Sequence, residues 1–178
     1  MKQNELVRIL EAVLMSAEKP MSASQLMRYF SPEEAVTKRS ITEALAEMSG
    51  RCDGRGFELR QVASGYRYQT RPEYRDWVSK HWDERPPRYS RALLEILALI
   101  IYRQPTTRAE IEEIRGVAVS SNIIKTLEER GWIRVVGHKE VPGRPAMFGT
   151  TPQLLDYFNL NSLDDLPALS ELKNLPDG

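Results

Sequence analysis

The same sequence signature of a helix start occurs in each half of this chain of 178 residues. Ser22 is followed three residues later by Gln25, and Thr107 is followed in the same way by Glu110. Such pairs form capping boxes, in which the two side chains bond to the backbone N–H groups that open a helix. The repeat predicts two small units built on the same plan, each with a modest core of its own.

The residues around the first capping box predict helices, a hairpin and a further helix. An apolar stripe from Leu6 to Leu14 indicates the first helix, and Ser31 before a proline indicates the start of the third. Alternating residues then predict two strands that turn at Ser64-Gly65. The predicted helices cover residues 5–17, 22–30, 31–48 and 72–82, and the predicted strands cover residues 57–62 and 66–70.

The second half repeats this order. Ser90 is the predicted cap of its first helix, and Gly116 ends the helix that Thr107 opens. A third helix is predicted to begin at Ser120 or Ser121 and to end at Gly131. Strands are predicted over residues 132–136 and 146–150, with the stretch from residue 137 as the turn between them.

Helix, helix, helix, strand, strand is the order of a winged helix. The sequence therefore predicts an α+β, mostly helical fold with two tandem winged-helix domains, each of three helices plus a β-hairpin wing. Prolines within residues 83–88 favour an extended linker there. The predicted parts are an N-terminal domain over residues 1–84, a C-terminal domain over residues 85–160, and a short helical turn with a mobile tail over residues 161–178.

Charge and composition argue against several classes of function. The 25 basic and 25 acidic residues give a formal net charge of +0, so no excess of positive charge drives binding to phosphates. His81 and His138 stand alone, and we expect no metal or cofactor site. No glycine-rich phosphate loop or nucleophile elbow is present in the sequence, which predicts a protein that is not an enzyme.

The single cysteine and the apolar runs indicate where the protein works. Cys52 lacks an intrachain partner and lies in a predicted turn, where a surface or half-buried thiol is a simpler interpretation than a reactive one. The most apolar run, residues 92–101, is far shorter than the roughly 20 residues of a spanning helix. We therefore expect a cytoplasmic protein without a membrane segment.

The predicted third helices are poor candidates for reading DNA, because their cations alternate with carboxylates. In the second half, Glu128 and Glu129 offset Lys125 and Arg130. In the first half, Glu43 and Glu47 follow Lys38 and Arg39 at spacings that suit ion pairs along the helix. A major-groove helix instead presents Arg, Lys, Asn or Gln. A solvated, internally paired face is the better interpretation of both helices.

The turn of the second hairpin is more ambiguous. His138, Lys139 and Arg144 surround Glu140 in the stretch "GHKEVPGRPAMFGT". A rigid tip of this kind is suited to touching a phosphate backbone, to contacting a protein, or to closing the hairpin and nothing more. The residues alone leave all three interpretations open.

Three long stretches of the second half resemble the segregation and condensation protein B family. They are "RALLEILALIIYRQPTTRAEIEEIRGV", "LEERGWIRVVGHKEVPGRPAMFGTT" and "LDYFNLNSLDDLP", at residues 91–117, 127–151 and 155–167. The first half is compatible with the same family and carries fewer distinctive residues. The resemblance thus covers nearly the whole chain, with its weight in residues 91–167.

The resemblance implies a winged-helix accessory subunit of a bacterial SMC–kleisin complex. Such a subunit is a homodimer joined through its N-terminal domains. Its C-terminal domains bind the kleisin, segregation and condensation protein A, and through it the SMC ATPase. A role in chromosome condensation and segregation and a nucleoid-associated location follow, with weak or indirect contact to nucleic acid. The alternative is a winged-helix transcriptional regulator that binds DNA.

Candidate site residues follow from the resemblance and from the predicted elements. The candidate residues for binding the partner are Asn122, Lys125, Glu129, His138, Lys139 and Arg144. The candidate residues for dimerisation are Tyr74, Trp77 and Val78, in the helix where we expect any exposed aromatic patch of the first half. The structural explanation of the motif residues Arg115 and Arg144 is an ion pair with Glu112 or Glu113.

Overall fold

The computed structural model describes residues 2–81 and 88–168. Its α+β, mostly helical composition confirms the predicted class. The chain divides into two compact units. Unit 1 consists of Met1–Arg85 with Asn159–Asn161, and unit 2 consists of Pro86–Phe158 with Ser162–Gly178. The predicted linker residues 83–87 and Trp82 lie outside the described residues.

Unit 1 has its main helices and its hairpin in the predicted order. Its elements are α1 (Gln3–Ser16), α2 (Ala23–Leu26), α3 (Lys38–Arg51), β1 (Phe57–Val62), β2 (Gly65–Thr70) and α4 (Arg75–Val78). The Ser22–Gln25 capping box opens α2 as predicted. A 3-10 turn over Met27–Tyr29 follows at once, so this helix is shorter than the sequence indicated. Further 3-10 turns, Pro72–Tyr74 and Ser79–His81, flank α4 in place of one continuous helix.

The predicted start of the third helix at Ser31 is wrong. Ser31 opens only a 3-10 turn over Pro32–Glu34, which ends because Ala35 adopts a left-handed conformation with φ of 52°. The helix α3 begins six residues later, where the side chain of Thr37 accepts a hydrogen bond from the backbone N–H of Ser40. The longer helix therefore starts at the second of two N-cap residues that lie close together in the sequence.

Unit 2 repeats the order with longer regular elements. They are α5 (Arg91–Arg103), β3 (Thr106–Thr107), α6 (Arg108–Arg115), α7 (Ser121–Glu129), β4 (Ile133–His138), β5 (Ala146–Thr150) and α8 (Pro152–Tyr157). Ser90, Thr107 and Ser120 are the N-caps of α5, α6 and α7, as the sequence indicated. The helix α8, capped by Thr151, was not predicted.

A short strand after the first helix pairs with the hairpin in both units, and the sequence did not indicate it. In unit 1, Met21 and Tyr66 exchange two backbone hydrogen bonds, each 2.9 Å long. In unit 2, Thr106 pairs with Phe148 and Thr107 with Met147. One or two residues carry no periodic pattern, so such a strand is invisible until its distant partner is known.

Each unit has its own apolar core beneath its helices and hairpin. Leu10, Leu26 and Ile41 are fully buried in unit 1, and Ile96, Ile111 and Leu127 are fully buried in unit 2. These residues belong to the predicted apolar stripes of the helices. In the part of the chain that the structure describes, no helix is both long enough and apolar enough to cross a bilayer.

Candidate functional site

The loop from Lys139 to Pro145, between β4 and β5, carries Lys139 and Arg144, two of the six candidate partner-binding residues; we call it the β4–β5 loop. His138 ends β4 beside it and is exposed. The backbone N–H of Lys139 donates to the carbonyl of Pro145 at 3.0 Å, which closes the base of the loop.

Lys139 does not point freely into solvent. Its Nζ lies 2.6 Å from Oε1 of Glu110, at the start of α6. The other carboxylate oxygen of Glu110 accepts hydrogen bonds from the backbone N–H of Thr107 at 2.7 Å and from its hydroxyl at 3.0 Å. The lysine ammonium, followed by these hydrogen bonds, lowers the pKa of Glu110 to about 2. Lys139 therefore ties the β4–β5 loop to α6, which gives it a structural role that the sequence did not show.

Arg144 is the more available cation of the loop. Its Nη2 lies 2.9 Å from Oε1 of Glu140, and both side chains remain largely exposed, at 70% and 81%. The backbone of Arg144 has a φ of 38°, in the left-handed region that non-glycine residues rarely occupy. The expected pairing of Arg144 with Glu112 or Glu113 is wrong, because its partner lies within the same loop.

Arg115 also has a different partner from the one expected. Its guanidinium lies 3.1 Å from Glu95 of α5, which in turn accepts from Arg91 at 2.9 Å. These two arginines lower the pKa of Glu95 through their hydrogen bonds. With only 14% of its side chain exposed, Arg115 joins α5 to α6 and is not available as a contact residue.

The candidate residues of α7 form a separate group. Lys125 and Glu129 pair with each other at 3.6 Å along the helix. Asn122 is exposed one turn earlier, near the N-terminus of α7. Among the described residues, no hydrogen bond or ion pair joins these three to the β4–β5 loop. The structure thus places the six candidates in two groups within unit 2.

The beginning of α7 is held by a network around Glu112. Its Oε1 accepts from the backbone N–H of Val119 at 2.8 Å and from Arg108 at 3.0 Å. These bonds, with the backbone donor as the larger cause, lower the pKa of Glu112. Arg108 also donates to the hydroxyl of Ser121 at 2.8 Å. The network accounts for Glu112 and Arg108 structurally.

At the other end of α7, Arg130 packs among aromatic rings. Its guanidinium lies 4.8 Å from the ring centroid of Tyr89 and 5.4 Å from that of Trp132. It also donates to the Tyr89 hydroxyl at 3.1 Å. Arg130 is thus engaged in cation–π contacts with the rings that surround it.

Two of the three candidate dimerisation residues of unit 1 are exposed, as the sequence led us to expect of this segment. Trp77 is 67% exposed and Tyr74 is 41% exposed, with their ring centroids 6.4 Å apart. Val78 is half-buried. A tryptophan two-thirds exposed costs free energy in water unless another surface covers it.

Cys52 is more deeply buried than predicted. Its side chain lies in the unit 1 core with 3% exposure, and its thiol donates to the carbonyl of Met48 at 3.3 Å. This geometry fits a structural thiol. No cluster of three or more potential metal ligands occurs within residues 2–81 and 88–168.

Sequence reasoning missed a groove in unit 1, between α3 and β1. It has a volume of about 430 Å³ and is lined by Thr42, Leu45, Ala46, Ser49, Leu59, Arg60, Gln61, Tyr66 and Asn161. Four of these residues recur on α3 at the i, i+3, i+4, i+7 spacing of one helix face, which is the sequence signal that was available. Thr42, Ala46 and Ser49 are exposed on that face, while Leu45 is buried.

Comparisons with known proteins agree on one family. The family model for "Segregation and condensation complex subunit ScpB" matches residues 8–169. A segregation and condensation protein B homolog from Coxiella burnetii is 50% identical over 167 residues, which cover 94% of this chain and 80% of that protein. Segregation and condensation protein B of Syntrophotalea carbinolica is 43% identical over 171 residues, 96% of this chain and 85% of that protein.

A solved structure is also similar in sequence. The crystal structure of ScpB from Mycobacterium tuberculosis is 32% identical, covers 89% of this chain and 97% of that one, and superposes with a TM-score of 0.41.

Proposed function

The chain belongs to the ScpB family of segregation and condensation complex subunits, and on that premise we propose that it is a non-enzymatic accessory subunit of an SMC–kleisin complex that binds the kleisin as a homodimer. The observation that carries this proposal is the match of residues 8–169 to the family model, because it spans both units. The role is to support chromosome condensation and segregation in the cytoplasm, at the nucleoid.

We further assign both units to the winged-helix fold. Each unit has a helix, a short strand, two more helices and a hairpin whose second strand pairs with the short strand. That arrangement supports tandem winged-helix domains. From the family resemblance, we assign residues 1–84 to dimerisation and residues 85–160 to binding the kleisin.

The exposed pair Tyr74 and Trp77 supports dimerisation through the first domain. In the full-length chain, we expect Trp77→Ala to weaken the dimer, because an exposed tryptophan anchors an interface through its large apolar area. Tyr29→Ala is the matched control, since Tyr29 is a 60% exposed aromatic residue of the same unit. Sedimentation measured over a concentration series distinguishes them. A Trp77→Ala chain that remains as dimeric as the control contradicts this assignment.

Arg144 is the strongest candidate for contact with the kleisin. Its exposure and its left-handed backbone support a role outside the fold, because such conformations are retained where function requires them. We expect Arg144→Met to weaken kleisin binding about tenfold, a typical loss for an interface arginine. The matched control is Arg91→Met, which also removes an exposed arginine from an i,i+4 pair in unit 2. Equal affinities of the two variants would remove Arg144 from the interface.

The DNA-binding alternative predicts a different partner. One cation of each third helix lies in an ion pair, Arg39 with Glu43 and Lys125 with Glu129, so neither of these two is an unpaired reader of base edges. The deciding experiment is co-expression with the kleisin of the same organism, followed by purification through a tag on this chain. Co-purification supports the proposal. Failure to co-purify, together with sequence-specific duplex binding that falls steeply with salt, would establish the regulator instead.

A further inference from the structure

Three residues that follow α8 in the sequence pack as part of unit 1. Asn159–Asn161 group with unit 1, whereas Phe158 before them and Ser162 after them group with unit 2. We call these three residues the strap. They contact the hairpin of β1 and β2 near its turn, and Asn159 is 92 residues away in sequence from Arg67, which it contacts. The unit 1 hairpin therefore has a partner segment from far along the chain.

Hydrogen bonds from the hairpin hold the strap. The backbone N–H of Ala63, in the turn, donates to the carbonyl of Leu160 at 2.9 Å. Nη2 of Arg67 donates to Oδ1 of Asn159 at 2.7 Å, and Nη2 of Arg60 donates to the carbonyl of Asn159 at 3.4 Å. In each of these three bonds the hairpin supplies the donor and the strap supplies a neutral oxygen. A change at Asn159 therefore alters the strength of the acceptor and leaves the hairpin itself intact.

The two arginines give the hairpin a reason to hold the strap. Arg60 and Arg67 stand directly opposite each other on neighbouring strands. Like charges at directly opposed positions repel each other, and oxygen acceptors bonded to both reduce that repulsion. Asn159 supplies two such oxygens, one from its side chain and one from its backbone. The closed strap is therefore favoured electrostatically, although its acceptors carry no net charge.

The strap begins with a residue in a left-handed backbone conformation. Asn159 has a φ of 58°. Among residues that carry a Cβ, asparagine is one of the few that occupy this region readily. Glycine occupies it without strain, so Asn159→Gly would keep the backbone path and remove only the side-chain oxygen. Alanine would remove the oxygen and strain the backbone as well.

Apolar burial adds little to these bonds. Leu160 is half-buried, and among the described residues it is not one of the apolar side chains that pack against either core. Asn161 is exposed. A segment held mainly by a few polar bonds opens at a lower free energy than an apolar core does. The strap can therefore leave the hairpin while the rest of unit 1 stays folded.

We propose that Asn159–Asn161 is a releasable strap, a conformational device that closes over the turn of the unit 1 hairpin and opens without unfolding the unit 1 core. The closed strap covers the N–H of Ala63 and engages Arg60 and Arg67, and the open strap gives up these three bonds. Any molecule that binds the strap residues only in their open state shifts the population towards that state. The device does not depend on which partner the protein binds.

Amide hydrogen exchange in the full-length chain measures the opening of the strap. The amide of Ala63 reports the strap, and the amide of Tyr66, which donates to Met21 in the same unit, is the internal reference.

Three substitutions at Asn159 should move the exchange of Ala63 in opposite directions. At neutral pH we expect Asn159→Asp to slow it about fivefold, because a carboxylate binds the two arginines more strongly than an amide does. We expect Asn159→Gly to speed it about tenfold through loss of the side-chain bond, and Asn159→Ala to speed it further through added strain. The amides of Tyr66 and of α3 should exchange as in the wild type.

A double variant tests whether the arginines carry the effect. In an Arg67→Met background, Asn159→Asp should lose most of its slowing of Ala63, since the two side chains act as a pair.

Two results would overturn the inference. One is an Ala63 amide that exchanges at the wild-type rate in both Asn159→Asp and Asn159→Gly. The other is an Asn159→Gly variant in which Ala63, Tyr66 and the amides of α3 all exchange faster together, because the strap would then open only with the whole unit. If Asn159→Ala does not fold, the aspartate and glycine variants decide. None of these measurements involves the kleisin, so their outcome is separate from that of the proposed function.

Discussion

The hairpins of the two units share a place in the order of elements but are stabilised differently. In unit 1, β1 and β2 are joined by two residues and pair in unbroken register. In unit 2, the register of β4 and β5 shifts between Val135 and Gly137, and a seven-residue loop joins the strands. Two side-chain contacts hold this second hairpin to the rest of unit 2. Lys139 donates to Glu110, and the side chain of Gln104 accepts from the backbone N–H of Thr150 at 2.8 Å. The first hairpin therefore combines unbroken backbone register with side-chain bonds between its own strands, such as Gln69 to Glu58. The second, with its shifted register, is tied by side chains to residues outside the hairpin.

The difference extends to the outer edges of the two sheets. β4 is the edge strand of unit 2, and the register shift interrupts its regular alternation. A bulge of this kind hinders the addition of another strand. β1 has no register shift and keeps a regular edge beside the groove. The outer edge of β1 is thus more regular than that of β4.

The largest expected effect comes from the turn of unit 1. Gly65 has a φ of 139°, and a Cβ there would lie 2.2 Å from the carbonyl carbon of Met21. Because backbone atoms must move apart, Gly65→Ala should lower the free energy of unfolding by about 3 kcal/mol or more. Gly143→Ala in the β4–β5 loop should cost only about 1–2 kcal/mol, from the left-handed backbone alone, since nothing lies within 4 Å of its Cβ.

Urea unfolding of the two glycine variants measures this difference. Equal losses of stability would show that the first hairpin does not depend on its close backbone contact, and the contrast between the units would fail.

A smaller effect is expected at the Glu110 carboxylate, through pH. Its pKa falls from 4.5 in the unfolded chain to about 2 in the folded protein. A carboxyl group with a lowered pKa stabilises the fold fully above the unfolded value and loses that contribution as the pH falls through the folded value. The contribution of Glu110 is therefore present above about pH 5 and disappears towards pH 2.

Glu110→Gln should cost about 1 kcal/mol at pH 6.5, since the ion pair is partly exposed and screened by solvent while the cap is weakened. The variant should also lose less stability than the wild type between pH 6.5 and pH 3. The reciprocal change Gln25→Glu places a carboxylate in the capping box of unit 1. It should make stability fall as the pH is lowered, as for Glu110 but more weakly. Parallel pH curves for wild type and Glu110→Gln would argue against the Lys139 tie.

The smallest effect is expected on the third helices. Arg39→Met and Lys125→Met each break an exposed i,i+4 pair, and each should leave the free energy of unfolding almost unchanged because solvent screens exposed pairs. Thermal unfolding in low salt and in high salt measures the two variants together. A clearly larger loss in one unit would show that helix-three charges, and not only the hairpins, distinguish the units.

The parts of the structure that local sequence determines were predicted. Both capping boxes join residues three apart, so Ser22 with Gln25 and Thr107 with Glu110 are visible in any short window. The start of α3 was missed because two capping sequences, at Ser31 and Thr37, compete within seven residues.

The contacts of the candidate site depend on long sequence separations. Lys139 and Glu110 are 29 residues apart, and Arg115 and Glu95 are 20 apart. No pattern along the chain selects one carboxylate among several at such distances, which is why the expected partner of Arg115 was wrong. Arg144 differs, because its partner Glu140 is only four residues away and was overlooked beside Glu112 and Glu113. The groove between α3 and β1 was missed because the pattern on α3 does not show which element packs against that face, and its lining includes the distant Asn161.

The burial of Cys52 makes unit 1 observable by itself. It is the single cysteine of the chain and lies in the unit 1 core. A thiol reagent can reach it only when that core opens, so its labelling rate reports the local opening of unit 1 and is silent about unit 2. Cys52 is thus a native probe of local opening in unit 1, and no labelling site has to be engineered.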